Sequence, residues 1–487
     1  MPMSDDLFFK RTKIIATLGP SSASDDVIYK MILEGVDLFR LNASHNSDPK
    51  LMENLVSTVR KQSEKAGKYV GIFMDLQGPK IRLGKFQDGK ATLKENELFE
   101  LTNESAIGTE KKASITYTNL VKDITIGDPI YIDDGKVRLI AHKKTKNTVV
   151  CKVIRGGTIS NHKGVNLPET ALSVSPFTKK DEEDAITAVK CKVDYIALSF
   201  VSTKKDIQDF KNFLLKNNAS QIRVISKIER QCAVDNLPSI IEESDAIMVA
   251  RGDLGVEIGH EKVPQTQKRI IRECNRRIKP VIVATQMLES MITSEVATRA
   301  EVSDIANAIY DHCDAVMLSG ETAIGINPVN VISTMADICR ATDKHMIAIR
   351  KEDKVIYHFN LEHRSIATSC CKAADQVAVE NNAAAIIAFT SSGNTPLIAA
   401  KINSIFPIIA PTDDKTLCQR MTLYRGVIPM MMPKPFEDIV QWTTMINLAV
   451  REAVRLKLLQ KNNRAVVTAG IPIGRSNGIN SIRIITV

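Results

Sequence analysis

Short β-branched runs alternating with helical stretches constrain this chain most. Eight runs read as strands: Lys13–Leu18, Val36–Leu41, Tyr69–Asp75, Tyr195–Ser199, Ile222–Glu229, Ile247–Asp253, Pro280–Thr285 and Ala315–Ser319. Apolar runs of this kind, without clean polar alternation, suit parallel strands covered on both faces by helices. Eight β/α units predict a TIM (β/α)8 barrel, whose reactive groups gather at the C-terminal ends of the strands. Between Leu83 and Leu167 the rhythm changes to short alternating runs divided by Asp-Gly and Gly-Gly turns, which predicts an inserted all-β domain. A helix around Ser365–Glu380, strands near Ala384–Thr390 and Ile408–Ala410, and a closing pair near Ala465–Ala469 and Ile482–Val487 predict a further α/β domain. A chain of 487 residues is too long for one core. The expected division is a barrel over 1–82 and 168–350, an insertion over 83–167 and a C-terminal domain over 351–487.

The candidate chemistry starts at Lys227-Ile228-Glu229. Residues two apart on a strand share a face, so the ammonium and the carboxylate project together at its end. Asp253, after the next strand, can join them. Two carboxylates with an otherwise open shell suit Mg²⁺, a hard ion that retains several non-protein oxygens. Arg40, Asn42 and Ser44 share a face if the second strand stays extended, and Asp75 is followed by a turn carrying Lys80 and Arg82. In the C-terminal region, the turn Thr390-Ser391-Ser392-Gly393-Asn394-Thr395 could hold an anion on its amides.

Composition narrows the function classes. The net charge of +9 comes from 65 basic and 56 acidic residues spread along the chain, without the basic, aromatic-interleaved patches of a nucleic-acid protein. No long uncharged apolar run or leader-like start is present, so a cytoplasmic protein with no membrane partner is expected. Nine cysteines without CxxC or His-spaced patterns read as reduced thiols.

Seven motifs coincide: Thr12-Lys13-Ile14, Arg40 to His45, Asp75 to Arg82, Lys227-Ile228-Glu229, Ala250-Arg251-Gly252-Asp253, Ala284-Thr285-Gln286-Met287 and Ser319-Gly320-Glu321-Thr322. Together they resemble the pyruvate kinase family, over nearly the whole chain. The resemblance implies phosphoryl transfer from phosphoenolpyruvate to ADP, giving pyruvate and ATP. It implies Mg²⁺ (or Mn²⁺) on Glu229 and Asp253, Lys227 at the moving phosphoryl group and Arg40 at the phosphate. Ala250, Arg251, Gly252, Asp253 and Thr285 would surround the rest of the substrate. Asn42 and His45 would lie near the nucleotide phosphates, with Arg82 and Lys163 approaching as the insertion closes like a lid. Protonation of enolpyruvate would use a water near Thr285, Ser319 and Glu321.

Family members that need K⁺ hold it with positions matching Asn42, Ser44, Asp75 and the carbonyl of Leu76, and carry Glu where this chain has Lys80. The implied enzyme does not require K⁺. The effector loop matches Thr390 to Thr395, with Asn394 where a basic residue is frequent; a phosphorylated effector, supplemented by Arg475 and Arg483, and a homotetramer complete the expectation. The same groups would also suit a metal-dependent lyase or aldolase acting through an enolate, or a sensor that keeps the fold without catalysis.

Overall fold

The computed structural model describes residues 10–44, 48–170, 172–352, 359–362, 364–433, 436, 441–470 and 478–487. Eight parallel strands close into a barrel: β1 (Lys13–Thr17), β2 (Leu38–Asn42), β3 (Gly71–Asp75), β4 (Tyr195–Leu198), β5 (Arg223–Ile228), β6 (Ala246–Ala250), β7 (Val281–Ala284) and β8 (Ala315–Leu318). Around the barrel the order is β1-β8-β7-β6-β5-β4-β3-β2, and β2 closes onto β1. The strands have two buried faces because alternate residues serve two cores. Ile15, Leu38, Phe73, Ala197, Ile225, Met248, Ala284 and Met317 fill the interior. Their neighbours Ile14, Phe39, Ile72, Ile196, Val224, Val249, Val283 and Val316 pack outward against the helices. Capping boxes start the helices Lys179–Lys190 (Thr178 with Asp181) and Arg299–Tyr310 (Thr298 with Glu301).

Inserted between β3 and β4, a six-stranded and a two-stranded sheet enclose a separate core around Phe99, Leu101, Ile130 and Leu139. At the C-terminus, β9 (Ala385–Ala388), β10 (Ile408–Thr412), β11 (Val427–Met431), β12 (Arg464–Ala469) and β13 (Ser481–Thr486) form one sheet in the order β11-β10-β9-β12-β13. Only the β12–β13 pairing is antiparallel. Strand β11 was not evident from the sequence, because Pro429 interrupts it; its edge position explains how a proline is tolerated. This domain caps the barrel's lower mouth. Leu423 and Tyr424 pack into the interior core, Lys13 Nζ donates to the Val427 carbonyl at 2.9 Å, and Lys401 is paired with Asp314.

Among the described residues no helix is long and apolar enough to cross a membrane. All nine cysteines are free, and burial pushes the thiols of Cys151 and Cys274 up to about 12.

Candidate active site

The alternation that fills the barrel also builds the site. Moving one position of like parity up each strand from an interior residue gives Thr17 above Ile15, Arg40 above Leu38, Asp75 above Phe73 and Lys227 above Ile225. Ser199 follows Ala197 by the same count, just past the end of β4. The register sets Arg40 beside Thr17, Asp75 beside Asn42, and Ala197 beside Asp75. The apolar layers of the interior thus end in a polar one.

In that layer, Lys227 Nζ lies 2.8 Å from Glu229 Oε1 and 3.2 Å from Asp75 Oδ1, and donates to Ser199 Oγ at 2.7 Å. Ser199 Oγ in turn donates to the Leu76 carbonyl at 2.7 Å. Arg40 grips Asp75 Oδ2 through Nε at 2.8 Å and Nη2 at 2.7 Å, and reaches Thr17 Oγ1 at 3.2 Å. Burial by itself would lower the Lys227 ammonium, but Asp75 and Glu229 outweigh it and keep the charge firmly in place. Asp75 is raised by burial, yet Lys227 and Arg40 together hold it below the usual carboxylate range. Glu229 goes the other way: burial, with Asp253 adding to it, raises its carboxyl despite Lys227. Its Oε2 accepts the Phe200 N–H at 2.7 Å.

Asp253 is not at a strand end, as expected from sequence. The strand stops at Ala250 and Arg251–Ile258 is a helix, with Asp253 in its first turn, where a carboxylate complements the helix N-terminus. Facing that turn, Thr285 adopts φ 72°, an uncommon conformation for a β-branched residue. The distortion is over-determined: Thr285 Oγ1 accepts the Gly252 N–H at 2.9 Å and donates to the Ala284 carbonyl at 2.5 Å. Arg251 also binds the Thr285 carbonyl, through Nε at 3.2 Å and Nη2 at 2.6 Å. The Gly252 amide, expected to face substrate, is thus engaged by Thr285. Both oxygens of buried Glu321 accept backbone amides, from Leu288 at 3.1 Å and Ser319 at 2.6 Å, whereas Ser319 Oγ is buried without a partner.

The second strand does not stay extended through Ser44. It ends at Asn42, and the Ser44 amide donates to Asn42 Oδ1 at 3.1 Å in a turn. His45 and Arg475 lie outside the described residues. Arg82 and Lys163 meet at the insertion's hinge, where Arg82 pairs with Gly164 and Lys163 Nζ lies 2.8 Å from Asp133 Oδ1. Neither contacts the Lys227 cluster. Lys80 is exposed, beside the same hinge and without an ion pair among the described residues. Ser391, Ser392 and Asn394 are exposed, while Thr390 and Gly393 are buried, and Arg483 lies exposed on β13.

Sequence reasoning missed Thr17 and Ser199, although the two-residue step beyond an interior position would have found both. It also missed Glu257, the seventh of eight residues in the Arg251–Ile258 helix, whose side chain is only 6% exposed. Its carboxyl is pushed up to about 7, chiefly by burial and further by Asp253 and Glu229, against Arg230. Arg230 Nε is 3.8 Å away and Glu257 Oε2 has no hydrogen-bond partner. Among the described residues no three His, Cys, Asp or Glu side chains form a ready-made metal cage. Asp253 is near enough to raise the Glu229 carboxyl, and two carboxylates so placed suit a cation that takes its remaining ligands from outside the protein.

Comparison with known proteins accounts for this arrangement. Residues 9–332 match the family model described as pyruvate kinase, barrel domain, and residues 368–485 match that described as pyruvate kinase, alpha/beta domain. A pyruvate kinase of Corynebacterium efficiens is 41% identical over 98% of this chain and 97% of its own length, and one of Corynebacterium glutamicum is 40% identical with the same coverage. The crystal structure of a pyruvate kinase from Cryptosporidium parvum superposes with a TM-score of 0.91 at 32% identity, covering 100% of this chain and 98% of that one. With a polar layer of this composition at the upper end of an eight-stranded barrel, and likeness extending through both flanking regions, the chain belongs to the pyruvate kinase family.

Proposed function

We propose that Lys227, Arg40, Glu229, Asp253 and Thr285 carry the glycolytic pyruvate kinase reaction in this chain, the transfer of the phosphoryl group of phosphoenolpyruvate to ADP. The observation that supports these roles is the Lys227 ammonium held at the top of the barrel interior by Asp75, Glu229 and Ser199. Phosphoryl transfer needs alignment and charge neutralisation more than covalent help. Lys227 supplies fixed positive charge to the moving group. Arg40, already aligned by Asp75, extends that charge to the phosphate oxygens. Family membership implies a divalent metal; Glu229 and Asp253 would hold it, and it would supply charge neutralisation for substrate oxygens.

Thr285, pinned to the Arg251–Ile258 helix, fixes the wall against which the enol carbon lies. A hydroxyl is too weak an acid to supply the final proton by itself, so a water relay beside Thr285, Ser319 and Glu321 passes a proton from solvent to the enol carbon. Arg82 and Lys163 sit on the hinge of the inserted domain, and closure would bring both to the nucleotide along with Asn42 and His45, excluding water from the transferred group. A coupled assay with phosphoenolpyruvate, ADP and Mg²⁺ tests the reading: pyruvate and ATP appear in equal amounts. Neither product would leave the lyase or the non-catalytic reading, and pyruvate with inorganic phosphate but no ATP would show transfer to water rather than to ADP.

The proposal extends to the finer properties. Asn42, Ser44, Asp75 and the Leu76 carbonyl form the monovalent-cation position, and Lys80 supplies the charge otherwise brought by K⁺. The boundaries 82/83, 167/168 and 350/351 divide the domains of a cytoplasmic homotetramer. The loop from Thr390 to Thr395 receives a phosphorylated effector; with Asn394 in place of a cation, fructose 1,6-bisphosphate activates weakly or not at all. Strong, saturable activation by the bisphosphate that Asn394→Arg leaves unaltered would refute this.

A further inference from the structure

One side chain of the barrel reaches across to the inserted domain beyond its hinge. Arg230 directly follows Glu229 and keeps the extended backbone of β5, with φ −129° and ψ 152°, before the short helix Gln231–Asp235 begins. The period of two that turns Glu229 toward Lys227 therefore turns Arg230 the other way, in line with Ile228, which packs outward. Its side chain is only 10% exposed, and Nη2 donates to the Thr170 carbonyl at 3.1 Å. Apart from the bonds of Arg82 at the hinge itself, no other side-chain hydrogen bond or ion pair among the described residues joins the barrel to the insertion.

Thr170 belongs, mechanically, to the insertion. Its hydroxyl donates to Asp128 Oδ2 at 2.9 Å and its amide to the Leu167 carbonyl at 3.2 Å. Just beyond it, Leu172 packs against the insertion's core and the Ser173 amide donates to Asp123 Oδ2 at 2.8 Å. A carbonyl fixed in this way moves with the insertion, whereas Arg230 is fixed to the barrel beside Glu229.

A second acceptor waits on the barrel side. Glu257 Oε2, on the Arg251–Ile258 helix, lies 3.8 Å from Arg230 Nε, beyond hydrogen-bond reach, and has no hydrogen-bond partner of its own. A guanidinium that leaves Thr170 therefore need not stay unpaired: a shift of about 1 Å toward Glu257 exchanges a bond to a neutral carbonyl for a charge-assisted one. Arg230 thus stands between two acceptors that belong to two bodies, and only one of them is engaged.

We propose that Arg230 is a positioning residue that latches the inserted domain in the arrangement seen here, with Arg82 and Lys163 away from the Lys227 cluster, and that closure over the nucleotide transfers its guanidinium from Thr170 to Glu257. The latch rests on the closure reading above. A bond made in only one of two arrangements weights the equilibrium toward that arrangement by its own free energy. Arg230 therefore keeps the mouth of the site open for entry and release, and nucleotide must work against it.

Distances between two spin labels on unnatural residues test the latch, one replacing exposed Lys143 in the insertion and one replacing exposed Lys216 on the barrel, in full chains diluted with unlabelled protein. Wild type should show one distance alone and another with Mg²⁺ and ADP. At pH 8 and without nucleotide, Arg230→Met should move the population about tenfold toward the second distance, the lower end for a hydrogen bond to a charged group. Its KM for ADP at saturating Mg²⁺ should fall, with kcat no higher. Thr170→Val, which unfastens the carbonyl from Asp128 without changing charge, should shift the population in the same direction, and it decides the matter if Arg230→Met does not fold. Glu257→Gln, which weakens the second acceptor, should act the opposite way and raise the ADP needed for closure about threefold. A lower unfolding temperature in Arg230→Met and Thr170→Val with the nucleotide-free distance unmoved would overturn the latch and leave closure standing. A wild-type distance that Mg²⁺ and ADP do not change would overturn both.

Discussion

Replacing Lys227 by Met removes the ammonium between Glu229, 2.8 Å away, and Asp75, 3.2 Å away, while keeping a stem of similar bulk. With an effective dielectric of about 20, each contact represents ~5 kcal/mol of attraction before desolvation is counted. Removing one partner of a buried ionic group typically costs about 3–5 kcal/mol, because the remaining charge stays uncompensated. Arg40 still neutralises Asp75 through Oδ2, which places the loss toward the lower end of that range. A lower unfolding temperature is therefore expected, in a chain that still folds. Catalysis suffers separately. Loss of one preorganised group facing developing charge costs about 10²–10³-fold in turnover. Exchange of the methyl protons of pyruvate with solvent needs the enol wall but no moving phosphoryl group, so it should fall far less. Glu229 loses the partner that opposes its raised carboxyl, so the acid limb of the residual activity moves to higher pH. Phosphoryl transfer and proton exchange, measured side by side on one preparation, decide the point: equal loss of both would refute the role given to Lys227.

Glu229→Gln keeps an oxygen for the Phe200 amide, 2.7 Å from Oε2, but removes an anion; turnover should collapse and half-saturation by Mg²⁺ should rise, while unfolding temperature changes little. Unchanged Mg²⁺ dependence would contradict the metal assignment. For Lys80, exposed at the hinge, initial rates in a K⁺-free buffer with a bulky organic cation should be near those with KCl, and Lys80→Glu should become K⁺-dependent. Wild-type activity that appears only on adding K⁺ would remove Lys80 from that role. Glu257 makes a prediction about stability: its folded carboxyl lies at about 7, above the ordinary 4.5, so the folded state binds the extra proton. Its contribution, about 3 kcal/mol in order of magnitude, is full below pH 4.5 and is lost as pH rises through 7. In metal-free buffer with chelator, thermal unfolding of Glu257→Gln should lose that part of the pH slope, and a slope identical to wild type would show that Glu257 does not titrate there.

The site was legible in the sequence wherever chemistry and spacing act over a few residues. Lys227 and Glu229 face one way because a strand has a period of two, and the structure brings both together with Asp75 and Arg40. The reading failed where conformation changes in mid-motif. Nothing local announces that the strand stops at Ala250 so that Asp253 sits on a helix, or that Ser44 has turned away from the line of Arg40 and Asn42. The positive φ of Thr285 is equally hidden, since it is held by Gly252 and Arg251, more than thirty residues away along the chain.

The sequence by itself determined the repeating β/α rhythm, the insertion, and which side chains could serve at the strand ends, because apolar periodicity and turn chemistry are local properties. Only the tertiary structure decided their partners. The pairing of Arg40 with Asp75, the seating of Leu423 and Tyr424 in the barrel's lower mouth, and the bond from Arg230 to the Thr170 carbonyl all depend on strand register and domain packing. Register and packing join residues far apart in the chain, and their geometry follows from burying the whole core at once, so no single motif encodes it.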